Sequence, residues 1–159
     1  AAVLVGPWTG VLCVSTVLLV QGLLFADGGI TALGTNVVLM AVTTVVVGWA
    51  VFRGLQVVLP KNTAMVPVCA AVGAFVSVPV ASLVFVGLYA VGGTADISIG
   101  GLATAMVGVH TLIGIGEAAI TFLAVGSILA VRPDLVYGAR RVIEQRELVI
   151  RSSTTEVSA

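Results

Sequence analysis

The chain has 159 residues, of which 59% are apolar and only 9% charged, with seven Lys or Arg against seven Asp or Glu. An ordinary soluble domain of this length carries about 40 charged side chains, and the 14 present here could not cover the surface of a globule. The same numbers exclude a disordered chain, which is charge-rich and apolar-poor, and the even charge balance excludes a broad basic footprint for nucleic acid. The composition is that of an integral membrane protein.

The charges are clustered, and the gaps between them set the elements in chain order. Residues 1–26, 28–52 and 62–95 carry no charge, and residues 97–131 carry only Glu117 and the lone histidine, His110. A helix crossing the hydrocarbon needs about 20 apolar residues, and each gap supplies them. Outer-membrane strands would alternate apolar and polar over segments of about ten residues, a pattern the sequence does not show. The fold class is therefore an all-α membrane bundle with four transmembrane helices. Gly6-Pro7-Trp8 reads as a turn at a membrane interface, and the first helix is predicted over residues 9–26. Asp27-Gly28-Gly29 turns the chain into a second helix over 30–52, with Trp49 near its end. The third is predicted over 65–91, with Pro79 at mid-span as a kink that membrane packing can accommodate. The fourth covers 100–131 and is closed by Arg132-Pro133. At 1.5 Å per residue it is about 48 Å long and must tilt or project from the bilayer.

Residues 1–132 thus form the transmembrane region and 133–159 a tail. Arg53 and Lys61 fall between the second and third helices, and Arg132, Arg140, Arg141, Arg146 and Arg151 follow the fourth. The other two turns carry only Asp27 and Asp96. By the positive-inside rule the basic loop and the C-terminus face the cytoplasm, in a plasma or inner membrane. Residue 1 is then also inside, and Ala1–Val5 reads as the end of another hydrophobic helix, so the chain is expected to be the C-terminal part of a longer protein. Within the tail, Leu135, Ala139, Val142 and Val149 fall at helical spacing among charged residues, with Glu147 and Arg151 four apart. This is either an amphipathic helix on the inner leaflet or against a cytoplasmic partner, or a plain stop-transfer flank. Residues 152–159 are polar, with a disordered end expected.

The chemistry concentrates on the fourth helix. Titratable groups at membrane depth are costly and face a pathway, a ligand or another polar group. His110 and Glu117 are seven residues apart and share a face. Gly114 leaves a groove between them and Thr121 continues the stripe; Asn36, near the outer end of the second helix, also asks for a partner. Two readings stay open. One is a polar track for a cation; the other is hydrogen bonding between helices, with Asn36, Gln21, Thr43 or Thr44 as partners. One histidine and one acid do not complete a metal site, which takes three or four ligands. Cys13 and Cys69 are isolated within apolar spans and read as small buried hydrophobes. No nucleotide-binding loop, GxSxG or HExxH motif points to an enzyme.

Two stretches carry a resemblance. Leu23-Leu24-Phe25-Ala26-Asp27-Gly28-Gly29-Ile30-Thr31-Ala32-Leu33-Gly34-Thr35-Asn36 and Gly108-Val109-His110-Thr111-Leu112-Ile113-Gly114-Ile115-Gly116-Glu117-Ala118 resemble the CbiM/NikM family. These are the substrate-capture subunits of energy-coupling-factor transporters for cobalt and nickel. Gly6-Pro7-Trp8 and Arg132-Pro133-Asp134 match the same pattern; Leu39 departs from it, where a second Asn is expected. The resemblance implies a seven-helix fold whose metal is held by an N-terminal amine and histidines that lie before residue 1, so that this chain supplies the scaffold. It gives His110 a supporting role and implies no resident cofactor, Co2+ or Ni2+ being cargo. The partners it implies are a membrane coupling subunit, cytoplasmic ATPase subunits and a small accessory membrane subunit. From the residues alone the alternative is a small four-helix membrane protein with a structural or assembly role and no substrate.

Overall fold

A computed structural model describes residues 1–25, 29–60 and 62–145. Asp27 and Gly28 of the first turn, Lys61, the Glu147–Arg151 pair, Arg146, Val149 and the expected disordered end lie outside the described residues. Among these residues there is no strand: α1 (Ala2–Val5), α2 (Pro7–Leu24), α3 (Gly29–Val58), α4 (Met65–Gly92) and α5 (Ile99–Val131) are followed by two 3-10 turns, Pro133–Leu135 and Tyr137–Ala139. Helices α2 to α5 are each long and apolar enough to cross a membrane. Their outer faces expose Leu12, Leu19, Ile30, Leu83, Leu112, Ile120 and Leu123, an apolar surface suited to a bilayer or to further helices.

Local chemistry sets the boundaries. Gly6 ends α1 with φ +90°, a left-handed conformation that glycine adopts at no steric cost, and Pro7 opens α2 at its first position, where no N–H is needed. The four-residue α1 folds back on α2, so that a Cβ on Gly10 would stand 3.2 Å from the Ala2 backbone. Helix α3 runs to Val58, six residues past the edge set by charge at Phe52. No breaker intervenes before Pro60, and Arg53 is accommodated on the helix. Its guanidinium carbon stands 5.7 Å from the Trp49 ring centroid and its Nη1 donates to Gln56 Oε1 at 3.2 Å. Arg53 is therefore a helix residue, whereas the charge pattern alone assigned it to the loop. The middle of α3 widens into a π-helical stretch, Val37–Thr43, where Thr43 Oγ1 donates five residues back to the Val38 carbonyl at 2.8 Å. At the start of α4, Asn62 Oδ1 accepts the Met65 N–H at 2.9 Å. Ser98 caps α5 by accepting the Gly101 N–H at 3.2 Å. At 33 residues α5 is about 50 Å long, well beyond the roughly 30 Å of hydrocarbon.

Helix α4 is the central element, packed between α3 and α5, and a third of its membrane window is buried against 11% for each of the others. Its covered face is built from small residues: Cys69, Ala70, Gly73, Ser77, Ala81 and Ser82. Lipid tails are as apolar as the side chains they replace, so association here rests on close packing rather than on transfer from water. The tightest approach joins Gly73 of α4 to Gly48 of α3, where a Cβ on Gly73 would lie 2.6 Å from the Gly48 carbonyl oxygen. Ser77 and Ser82 satisfy their hydroxyls on their own helix, donating to the Ala74 and Pro79 carbonyls at 2.8 and 2.7 Å. They add no polar demand to the interface.

At the end carrying Arg53, an apolar cluster of Val3, Phe52, Val66, Cys69, Val125, Val136, Ala139 and Val142 closes the bundle. The tail supplies the last three. Pro133 and Gly138 break the helical period into 3-10 turns, so Val136, Ala139 and Val142 point inward at a spacing of three while Leu135 stays 55% exposed. Residues 140–145 are helical. Phe52, fully buried, stacks on Trp49 with ring centroids 5.4 Å apart and presses so close to Gly138 that a Cβ there would meet its ring at 2.7 Å. Arg132 leaves α5 paired with Asp134, Nε to Oδ1 at 3.0 Å and Nη2 to Oδ2 at 2.8 Å, and this pair holds the Asp134 carboxyl below its ordinary pKa.

The glycine contacts make a direct test. Gly73→Ala forces α3 and α4 apart and is expected to cost about 1–3 kcal/mol. Gly54→Ala, whose Cβ meets nothing within 4 Å, is expected to leave stability unchanged or raise it by about 0.5–1 kcal/mol. Thermal melts of the purified variants in detergent compare the two; equal melting temperatures would remove the Gly48–Gly73 contact from any role in stability.

Candidate functional site

Helix α5 turns its Gly114 side toward α4. Gly114 is buried, Thr111, His110, Ala118 and Thr121 are half-buried beside it, and Glu117 is exposed. The groove expected at Gly114 is filled: a Cβ there would stand 3.0 Å from the Phe75 carbonyl oxygen, 3.4 Å from the Phe75 ring and 3.7 Å from Pro79 Cδ. The reason lies in α4. The helix runs unbroken through Pro79, but proline has no N–H, so the usual hydrogen bond from position 79 back to the Phe75 carbonyl cannot form. That carbonyl faces the α-carbon of Gly114, and the absence of a side chain lets the two backbones meet.

His110 has a defined tautomer. Its Nδ1 lies 2.7 Å from the Met106 carbonyl oxygen. A carbonyl only accepts, so Nδ1 carries the hydrogen and, in the neutral ring, Nε2 keeps its lone pair. Thr111 Oγ1 likewise donates back along the helix, to the Val107 carbonyl at 2.7 Å. Thr43 and Thr44 are satisfied within α3, on the Val38 and Met40 carbonyls. Among the described residues no hydrogen bond links His110, Glu117, Asn36, Gln21 or Thr121 to another helix, and no buried side-chain polar atom lacks a partner. The four singled-out residues are therefore not gathered into one cluster. His110 and Thr121 flank the packed side of α5, Glu117 looks outward, and Asn36 is half-buried on α3 where the helix enters its π-helical stretch.

Nor do three or more His, Cys, Asp or Glu side chains converge as metal ligands among the described residues. Cys69 is buried beneath Phe52 and the tail, while Cys13 is exposed on α2, outside the buried setting its apolar context suggested. Helix α5 offers the His110 imidazole and, seven residues on and on the same face, the exposed Glu117 carboxyl; the carbonyl that Pro79 leaves without its usual donor belongs to α4 and packs against Gly114. These groups are too few to hold a cation, which takes three or four ligands. Pairwise spacing along α5 identified His110 and Glu117. The Phe75 carbonyl was not singled out, although the proline four residues after it is the signal that marks it.

Comparison with known proteins agrees with this architecture. Residues 1–135 match the CbiM family, described as a cobalt uptake substrate-specific transmembrane region. A relative from Haloquadratum walsbyi named "Putative metal transport protein" is 36% identical over 137 residues, covering 86% of this chain and 60% of the relative. One from Archaeoglobus fulgidus, named "Putative fused nickel transport protein NikMN", is 36% identical over 138 residues, covering 86% of this chain and 44% of the relative. The crystal structure of a truncated transition metal transporter superposes with a TM-score of 0.67 at 31% identity, over 79% of this chain and 62% of that one. The chain thus spans between two fifths and two thirds of the length of these proteins. With four membrane-length helices in the fold of a metal transporter and a match that runs through both sequence stretches on α2–α3 and α5, the chain belongs to the CbiM family of multi-pass membrane proteins.

Proposed function

We propose that this chain is the helical frame of a substrate-capture component for cobalt or nickel uptake, working with a membrane coupling subunit, an accessory membrane subunit and cytoplasmic ATPase subunits. The observation that carries the reading is the CbiM match over residues 1–135, supported by relatives named for cobalt and nickel transport. In this reading α3, α4 and α5 form a rigid wall. His110 turns its Nε2 lone pair away from its own helix and supports the cation's environment, and metal ligands beyond those described complete the site. Glu117, exposed on α5, faces whatever packs on that helix and acts as a hydrogen-bonding group. Asn36 on α3 and Thr121 on α5 act as separate hydrogen-bonding groups on their own helices.

The uptake assay tests this directly. Cells carrying the complete transport system with this protein are expected to accumulate labelled cobalt or nickel, and cells lacking it are not; accumulation of neither metal overturns the reading. Glu117→Gln keeps the shape and a donor and is expected to retain most uptake. Loss of uptake in a Glu117→Gln protein that still folds and assembles would instead make the carboxylate a step in the cation path. On its own, the 159-residue chain is expected not to hold either ion at micromolar concentration, because the described side chains never present three ligands together. Calorimetric titration checks this, and tight binding lost on His110→Ala would make the histidine a direct ligand.

Orientation follows from Arg53, Arg132, Arg140 and Arg141 at one end of the bundle. We infer that this end, with the C-terminus, is cytoplasmic. A cysteine at Asn62 is then expected to react with impermeant thiol reagents only from the cytoplasmic side, and one at Thr94 only from outside. Both positions are exposed, and the reverse labelling pattern would invert the assignment.

A further inference from the structure

Where the tail folds back on α3, the two enclose a groove of about 140 Å³ lined by Arg53, Gln56, Val57, Arg141, Val142 and Gln145. We propose that this groove holds the phosphate of an anionic phospholipid. Its polar lining consists of two guanidiniums and two carboxamides, all able to donate to phosphate oxygens, which only accept. No carboxylate lines it among the described residues. Glu144 is exposed outside the lining, and Asp134 is engaged by Arg132.

The groove's inner wall is held in place. Gln56 Nε2 donates to the Gly138 carbonyl at 3.0 Å, Gln56 Oε1 accepts from Arg53 Nη1, and the Arg53 guanidinium lies over Trp49. These contacts use one of the five guanidinium N–H groups of Arg53 and fix the direction of the rest. Depth selects the lipid. Arg53 sits on the last turns of a membrane-length helix, one turn beyond Trp49, a residue type that anchors at the interface. Val57 and Val58 beside it are 77% and 82% exposed. Phosphate donors thus adjoin an uncovered apolar wall, which suits a headgroup with its acyl chain attached and gives a soluble anion or an acidic peptide nothing to bury there. Basic pockets at the ends of membrane helices bind such headgroups through this combination.

Native mass spectrometry of the purified protein, with phosphatidylglycerol, phosphatidylcholine or inorganic phosphate added, tests the proposal. One phosphatidylglycerol molecule is expected to be retained in preference to phosphatidylcholine. Its affinity is expected to fall about fivefold in Arg53→Gln and in Arg141→Gln. Arg141 is exposed and in no ion pair among the described residues, so its variant keeps the fold and decides the matter. Arg140→Gln, which removes an equal charge from a guanidinium lying over Tyr137 outside the groove, is expected to leave retention unchanged. Equal retention of the two lipids, or an equal loss in all three variants, overturns the site. Displacement of phosphatidylglycerol by inorganic phosphate at the same concentration would assign the groove to a soluble phosphate and overturn the lipid.

Discussion

A helix backbone can touch its neighbour's only where a side chain is missing at the crossing, and this bundle depends on that at two places. Gly48 meets Gly73 between α3 and α4, and Gly114 meets the Phe75 carbonyl between α4 and α5. In a bilayer the apolar side chains gain little by leaving lipid for protein. The close fit that those glycines permit therefore carries much of the association of α3, α4 and α5. The small face of α4 follows from the same requirement, and so does the local satisfaction of Ser77 and Ser82 on their own helix.

The end bearing the arginines is built on a different principle. There Phe52 is clamped between Trp49 and Gly138, and the tail lays Val136, Ala139 and Val142 over the mouth of the bundle. At that boundary water is near, and covering apolar surface is favourable again. The two ends of the molecule thus differ in cause as well as composition: the membrane-embedded part holds through shape, the wet end through burial. Residues 91–100, between α4 and α5, are exposed throughout.

The spans were legible because charge is so expensive in hydrocarbon that its gaps outline the helices. The same criterion cut α3 short at Arg53, since a long cationic side chain can stay on a helix near the interface by lying over Trp49. On α5, spacing put His110, Gly114, Glu117 and Thr121 on one side. It could not say that α4 would fill the space at Gly114, because that depends on a carbonyl released by Pro79 on another helix. Likewise the tail's apolar residues were visible, but Leu135 and Val136 exchanged roles once Pro133 and Gly138 replaced the 3.6-residue period with tighter turns. Periodicity reads one element at a time; what covers an element is a property of the pair.

The widened stretch Val37–Thr43 divides α3 into halves with different neighbours. Before it the helix lies against α2, and after it against α4. Successive residues of an ordinary helix are rotated by about 100°, and a π-helical turn takes up an additional residue within the same helix. The wide turn is therefore an angular offset, setting the direction in which Asn36 faces relative to Trp49 and Phe52. Removing that additional residue would let the stretch close as an ordinary α-helix with the two halves near their present orientations, whereas removing one from the regular turns on either side would rotate one half against the other by about 100°. Val37–Thr43 is thus the part of α3 where a one-residue deletion is absorbed with the least rotation.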